Sequence, residues 1–203
     1  MYKKILSLSV LLFGLLASTS AFAGKATDAV KSKQSQLFTL IAKPKTAAQQ
    51  KQLNDLFDAV IAYDRFARDS LGDKWDSLSA DEHSKFTQVL TDLVRENYRK
   101  NIHKLADFNV TYESESADGS DVLVKTNNKH KTDAHEPEIE VVFRMHDFGT
   151  AEKPSWKIVD IITERSSMVK TFRSQFVKVL KKDGFGALIA KMQKKLDKLK
   201  KNA

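Results

Sequence analysis

Residues 155–180 read SWKIVDIITERSSMVKTFRSQFVKVL, and the period of their apolar positions changes part-way along. Up to Glu164 the stretch is rich in β-branched residues and predicts a strand over Ser155 to Glu164. Ile158, Val159, Ile161 and Ile162 occupy both parities of that strand, so both faces are partly apolar and something must cover each. From about Ser166 the positions Met168, Val169, Phe172, Phe176, Val179 and Leu180 fall at helical spacing. A break follows at Asp183-Gly184. A last helix from Phe185 to about Lys200 then puts Leu188, Ile189, Met192, Leu196 and Leu199 on one face and lysines on the other.

Upstream of this stretch, Asn109 to Glu115, Asp121 to Asn127 and Glu138 to Met145 are short segments set off by Gly, Asn, Asp and Pro. With Ser155 to Glu164 they predict a four-stranded antiparallel meander. Ile139, Val141, Phe143 and Met145 alternate with Glu138, Glu140 and Arg144, which gives the third strand one apolar face. Before the strands the period is helical. Helices are expected over Thr27 to Ala42, ended by Lys43-Pro44, and over Thr46 to Ala62, with Leu53, Leu56, Phe57, Val60 and Ile61 as its stripe. A short helix from Asp64 to Leu71 stops at Gly72, read as a left-handed cap. Ser79-Ala80-Asp81-Glu82 is a capping box that starts a helix running to about Ile102, with Phe86, Leu90, Leu93 and Tyr98 inward. Helices, then strands, then helices is an α+β order, with helices packed on an antiparallel sheet.

The N-terminus carries Lys3 and Lys4, an apolar run from Ile5 to Leu16, and Ala21-Phe22-Ala23. This predicts a signal peptide over residues 1–23, with Gly24 opening a single mature domain over 24–203. The apolar run is about a dozen residues, short of the roughly 20 that span a bilayer, and no second such run follows, so an exported, aqueous protein is expected. There is no cysteine, which excludes disulfides, thiolate metal sites and a lipid-modified cysteine. The formal charge is +8; the leader holds two lysines and no acid, which leaves +6 on residues 24–203. Lys191, Lys194, Lys195, Lys198, Lys200 and Lys201 concentrate that charge on the last helix, as a solvated face or as a surface for anionic headgroups. Export argues against nucleic acid as the partner.

Two blocks resemble the MlaC family of periplasmic phospholipid-binding, or toluene-tolerance, proteins. The first holds Phe57-Asp58, Leu71-Gly72, Trp75, the Ser79 helix start, Phe86 and Tyr98. The second runs from Trp156-Lys157-Ile158-Val159-Asp160-Ile161 through Ser167, Val169, Phe172-Arg173-Ser174-Gln175-Phe176 and Gly184 to Leu188-Ile189. The chain departs from the family pattern at Arg165, where glycine is usual, and at Phe172, where tyrosine is usual. The resemblance implies an apolar cavity between helices and a curved sheet. It also implies a periplasmic carrier, monomeric, that moves phospholipid between an outer-membrane lipoprotein complex and an inner-membrane ABC transporter with a mammalian-cell-entry subunit.

Two acyl chains hold about 30 methylenes, and at roughly 0.8 kcal/mol each their exposure costs on the order of 20 kcal/mol, so a lipid carrier needs a true cavity. The candidate lining is Leu90, Leu93, Val141, Phe143, Ile158, Ile162, Met168, Phe172 and Phe176, although an apolar stripe at such spacing is more often plain core. Glu164, Arg165 and Arg173 are candidates for the cavity mouth or a partner contact, arginine being suited to bidentate phosphate recognition, or for ordinary surface pairs. No H-E-x-x-H, G-x-S-x-G or P-loop occurs. His130, His135 and Glu136 cluster in a loop without the spacing of a metal site. No cofactor, metal or catalytic residue is therefore assigned. The alternatives are a secreted α+β enzyme holding a small hydrophobic ligand in the same cavity, with Asp160 or Glu164 as its strand-borne carboxylate, and a structural adaptor with a filled core.

Overall fold

The computed structural model describes residues 24–201, so the proposed signal peptide lies outside the described residues. The chain runs α1 (Lys25–Ile41), α2 (Ala47–Val60), α3 (Tyr63–Leu71), a 3₁₀ segment Gly72–Ser77, α4 (Ala80–Asn101), a second 3₁₀ segment Ile102–Asp107, β1 (Phe108–Asp118), β2 (Asp121–His130), β3 (Ile139–Asp147), β4 (Trp156–Thr163), β5 (Ser166–Ser167) and α5 (Met168–Lys201). The α+β order holds. The sheet is antiparallel in the order β1-β2-β3-β4-β5 and so has five strands, because two residues that sequence assigned to the start of the last helices pair instead with Ile162 and Thr163.

Local chemistry sets most boundaries. Thr46 accepts from the Gln49 amide to start α2. At α4 both halves of the capping box are made, Glu82 N to Ser79 Oγ at 3.3 Å and Ser79 N to Glu82 Oε2 at 2.9 Å. Gly72 ends α3 at φ 54°, ψ −134°, a positive φ but outside the left-handed helical well expected of it. Gly184 has φ 81°, ψ 176°, a conformation open essentially to glycine alone, and it bends α5. How sharply is shown by Lys195, whose Nζ lies 6.0 Å from the ring centre of Phe172. Those positions would be ~35 Å apart along a straight helix at 1.5 Å per residue. The two limbs of α5 therefore form a hairpin.

The sheet has two irregularities, at Tyr112/Ser114 on β1 and opposite Arg144/Met145 on β4. In the second, Arg144 pairs with Asp160 and Met145 with Ile158, so Val159 is an extra residue, a bulge. The bulge switches parity: Ile158 and Ile161 share one face, and Ile162, paired with Val142, takes the other. Ile61 and Ala62 cover the free edge of β4 through a bridge to Ile158, with Ala62 N donating to Ile158 O at 2.9 Å.

The main core lies among the helices, where Phe66, Phe86, Leu90 and Leu188 are at most 2 % exposed and Phe86 meets Phe176 edge-on at 5.5 Å. A smaller cluster joins Ala26 and Val30 of α1 to Val122, Val124, Met145 and Ile158 on the inner sheet face. α3 is tied to β2 by Arg65, which makes a two-pronged contact at 3.0 and 2.8 Å with the buried carboxylate of Asp121.

Candidate functional site

Two apolar cavities lie against one another. The sheet cavity, about 270 Å³, is bounded by α1 and α2 on one side and by Val141, Phe143, Met145, Trp156, Ile158 and Ile161 on the other. Every one of those strand residues stands on the face that the register and the Val159 bulge predict. Half-buried Lys33 and Gln34 and exposed Thr163 bring polar groups to its lining, and Leu105, 41 % exposed, is one of its walls. The helical cavity, about 330 Å³ and open to solvent on one side, is bounded by α4 and the two limbs of α5 and lined by Leu93, Phe172, Phe176, Val179, Leu188 and Met192. Exposed Asn97, Gln175, Lys191 and Lys195 edge it, so two of the lysines noted in sequence border a void. Tyr98 and Met168 line both cavities.

Met168 is placed by a polar network at the start of α5. Asp160, 4 % exposed, accepts from Ser167 Oγ at 2.5 Å, from Val169 N at 3.0 Å and from Ile161 N at 2.8 Å. Ser167 Oγ in turn accepts from Lys170 N at 3.0 Å. Oδ1 of Asp160 thus takes the Val169 amide at the start of α5 and the Ile161 amide of its own strand, and Oδ2 takes the Ser167 hydroxyl. A carboxylate so engaged is a structural clamp at the junction of β4 and α5.

The remaining candidates separate cleanly. Val141, Phe143 and Ile158 line the sheet cavity, Leu93, Phe172 and Phe176 the helical one, and Met168 both. Leu90, one helical turn from Leu93, is 1 % exposed within the helical core and lines neither. Ile162 faces away from both because the bulge reverses its parity. Glu164 and Arg165 form the exposed two-residue turn between β4 and β5, with φ 49° and 66°. Arg173 donates from Nε to the Asp69 carbonyl at 2.7 Å and packs over Gly72, where a Cβ would stand 3.2 Å from its Nε. It belongs to the end of α3 and to neither cavity lining. His130 Nδ1 accepts from Asp133 N at 2.9 Å, and among the described residues no group of three or more His, Cys, Asp or Glu is placed to hold a metal. Tyr98, Leu37, Leu56, Val60 and Val179 were not among the candidates. Their stripes were legible, but which stripe residues border a void was not.

The MlaC protein family model matches residues 25–194, which takes in every cavity residue named above except Lys195. The chain belongs to the MlaC family. In fold, the chain is similar to a solved phospholipid-binding protein from Ralstonia solanacearum in complex with a phospholipid, with a TM-score of 0.69 and 17 % identity over 86 % of this chain and 98 % of that one. No curated protein sequence matches the chain. The family's usual glycine falls at Arg165, whose φ of 66° is the left-handed backbone that glycine adopts without strain. Among the described residues, no helix of this MlaC chain is long and apolar enough to cross a membrane.

Proposed function

We propose that this MlaC-family chain is a periplasmic phospholipid carrier rather than an enzyme. The observation that carries the reading is the pair of apolar cavities meeting at Tyr98 and Met168, with lysine and amide side chains at their edges. An apolar enclosure with a polar rim suits a molecule with long acyl chains and a charged headgroup. The solved Ralstonia solanacearum neighbour, bound to a phospholipid, supports the same class of ligand. In this reading residues 1–23 are a signal peptide removed at Gly24, and the carrier works as a monomer. It receives and delivers lipid between an outer-membrane lipoprotein complex and an inner-membrane ABC transporter with a mammalian-cell-entry subunit. Transport needs no bond made or broken, and Asp160, the buried strand carboxylate, is already consumed in holding α5. The deciding experiment is organic extraction of protein purified from the periplasm, with mass spectrometry of the extract. About one diacyl phospholipid per chain is expected. Protein that comes lipid-free and takes up none from vesicles overturns the reading.

A further inference from the structure

Of the two side chains common to both cavities, Met168 is apolar throughout and Tyr98 is not. The Tyr98 hydroxyl is buried and has no hydrogen-bond partner, while its ring is held in place by stacking on Phe57, with centroids 5.2 Å apart and planes at 21°. Burial, with the nearby Tyr63 and Asp160, pushes its ionisation well above that of a free phenol, so it stays a neutral O–H at physiological pH. A buried hydroxyl without a partner is unfavourable, and native structures rarely leave one unsatisfied. The Tyr63 hydroxyl beside it is buried without a partner too; an acceptor that reaches Tyr98 from the cavities is best uncharged, so that no ion enters the apolar junction, and flanked by apolar groups that fit the walls on either side. In a diacyl glycerophospholipid the ester carbonyls, at the heads of the acyl chains, meet all three conditions. The phosphate meets none of the last two and has the polar rims to go to, through Lys33 and Thr163 or through Lys191 and Lys195.

We propose that the Tyr98 hydroxyl donates a hydrogen bond to an ester carbonyl of a bound diacyl phospholipid that sits astride the junction of the two cavities. This rests on the phospholipid reading above and sharpens it to a ligand atom. The test loads delipidated protein from vesicles of dioleoyl phosphatidylglycerol or of its dioleyl ether analogue, in which methylenes replace both carbonyls, and measures bound phosphorus. Wild-type protein is expected to favour the ester lipid about fivefold, the worth of one ordinary hydrogen bond. Tyr98→Phe, which removes a single oxygen, is expected to lose that preference, its uptake of ester lipid falling about fivefold relative to its own uptake of ether lipid. Equal uptake by the wild type, or an undiminished ester preference in Tyr98→Phe, overturns the inference and leaves the carrier reading standing. Failure of the wild type to take up either lipid removes both. Should the variant not fold, solution NMR of wild-type protein loaded with carbonyl-¹³C ester lipid decides, a contact between Tyr98 and the labelled carbonyl supporting the inference and its absence overturning it.

Discussion

The sheet cavity and the helical cavity are of similar size and both mainly apolar, yet they are built by opposite means. The first is walled by strands whose alternation states which side chain faces in, and its other wall, α1, comes from the far end of the chain. The second is walled largely by one continuous stretch folded on itself at Gly184. An amphipathic stripe says that a helix face is covered. It does not say whether a neighbour or a void covers it. Leu90 and Leu93 show the difference, since both lie on the buried stripe of α4 and only Leu93 meets a cavity.

The largest effect should come from the clamp at the junction. Asp160→Ala leaves a hydroxyl and two amides without their acceptor in a buried site and should cost about 3 kcal/mol, read from urea unfolding. Lipid should be lost from the folded fraction too, because Met168 walls both cavities; retention of wild-type lipid would show that the junction does not depend on α5 being anchored there.

Leu90→Trp and Val141→Trp separate core from void. The first overpacks a filled site and should destabilise by about 1–3 kcal/mol, lowering the thermal midpoint. The second places its ring in the sheet cavity, so a near-native midpoint with depleted phosphorus is expected. If the two variants behave alike, the contrast between filled core and cavity wall is wrong at these positions.

A gain of about 1 kcal/mol is expected from Arg165→Gly, since a non-glycine residue at φ 66° is strained and its side chain is exposed. The check is the urea midpoint with an unchanged slope. No loss of bound lipid should accompany it, Arg165 lying outside the lining of both cavities.

The smallest effect near neutrality concerns the phenols. Burial, and then the Asp58 carboxylate, push Tyr63 up to about 12, and burial alone does the same for Tyr112. The folded protein holds these protons where the unfolded chain releases them, so the contribution is complete below pH about 10 and is lost as pH rises toward 12. Stability should be flat through neutral pH and fall above 10, with tyrosinate absorbance appearing together with loss of circular dichroism. Tyr63 stands on α3 and Tyr112 on β1, so Tyr63→Phe and Tyr112→Phe should tell which side of the molecule yields first.

Much of this architecture was legible because short-range rules decided it. The Ser79 box, the Gly184 break and the alternation of Val141, Phe143 and Met145 are each set by neighbours within a turn or a strand. Ile162 was misplaced by a single extra residue, for a bulge reverses parity downstream and Val159 is as good a strand former as any other position. The pairing of Ser166 and Ser167 as β5 depends on a two-residue turn with positive φ at Glu164 and Arg165, residues whose composition gives no hint of it. Tyr98 read simply as an inward aromatic, because its place between two voids is fixed by α2, α5 and β4 together.

The contact that closes α1 over the sheet carries a consequence for how the molecule assembles. Glu115 of β1 accepts from Gly24 N at 3.0 Å, from Thr27 N at 2.7 Å and from Thr27 Oγ1 at 2.6 Å, across sequence separations of 88 and 91. The hairpin of α5, by contrast, joins residues on either side of one glycine. Closing a chain segment costs only about 0.6 kcal/mol more for each doubling of its length, so the long loop is affordable at equilibrium. Distance along the chain weighs on speed instead, since non-local contacts are reached late. Helical and meander contacts are therefore expected first, with the seating of α1 on the sheet, through Ala26, Val30 and the Glu115 contacts, expected last.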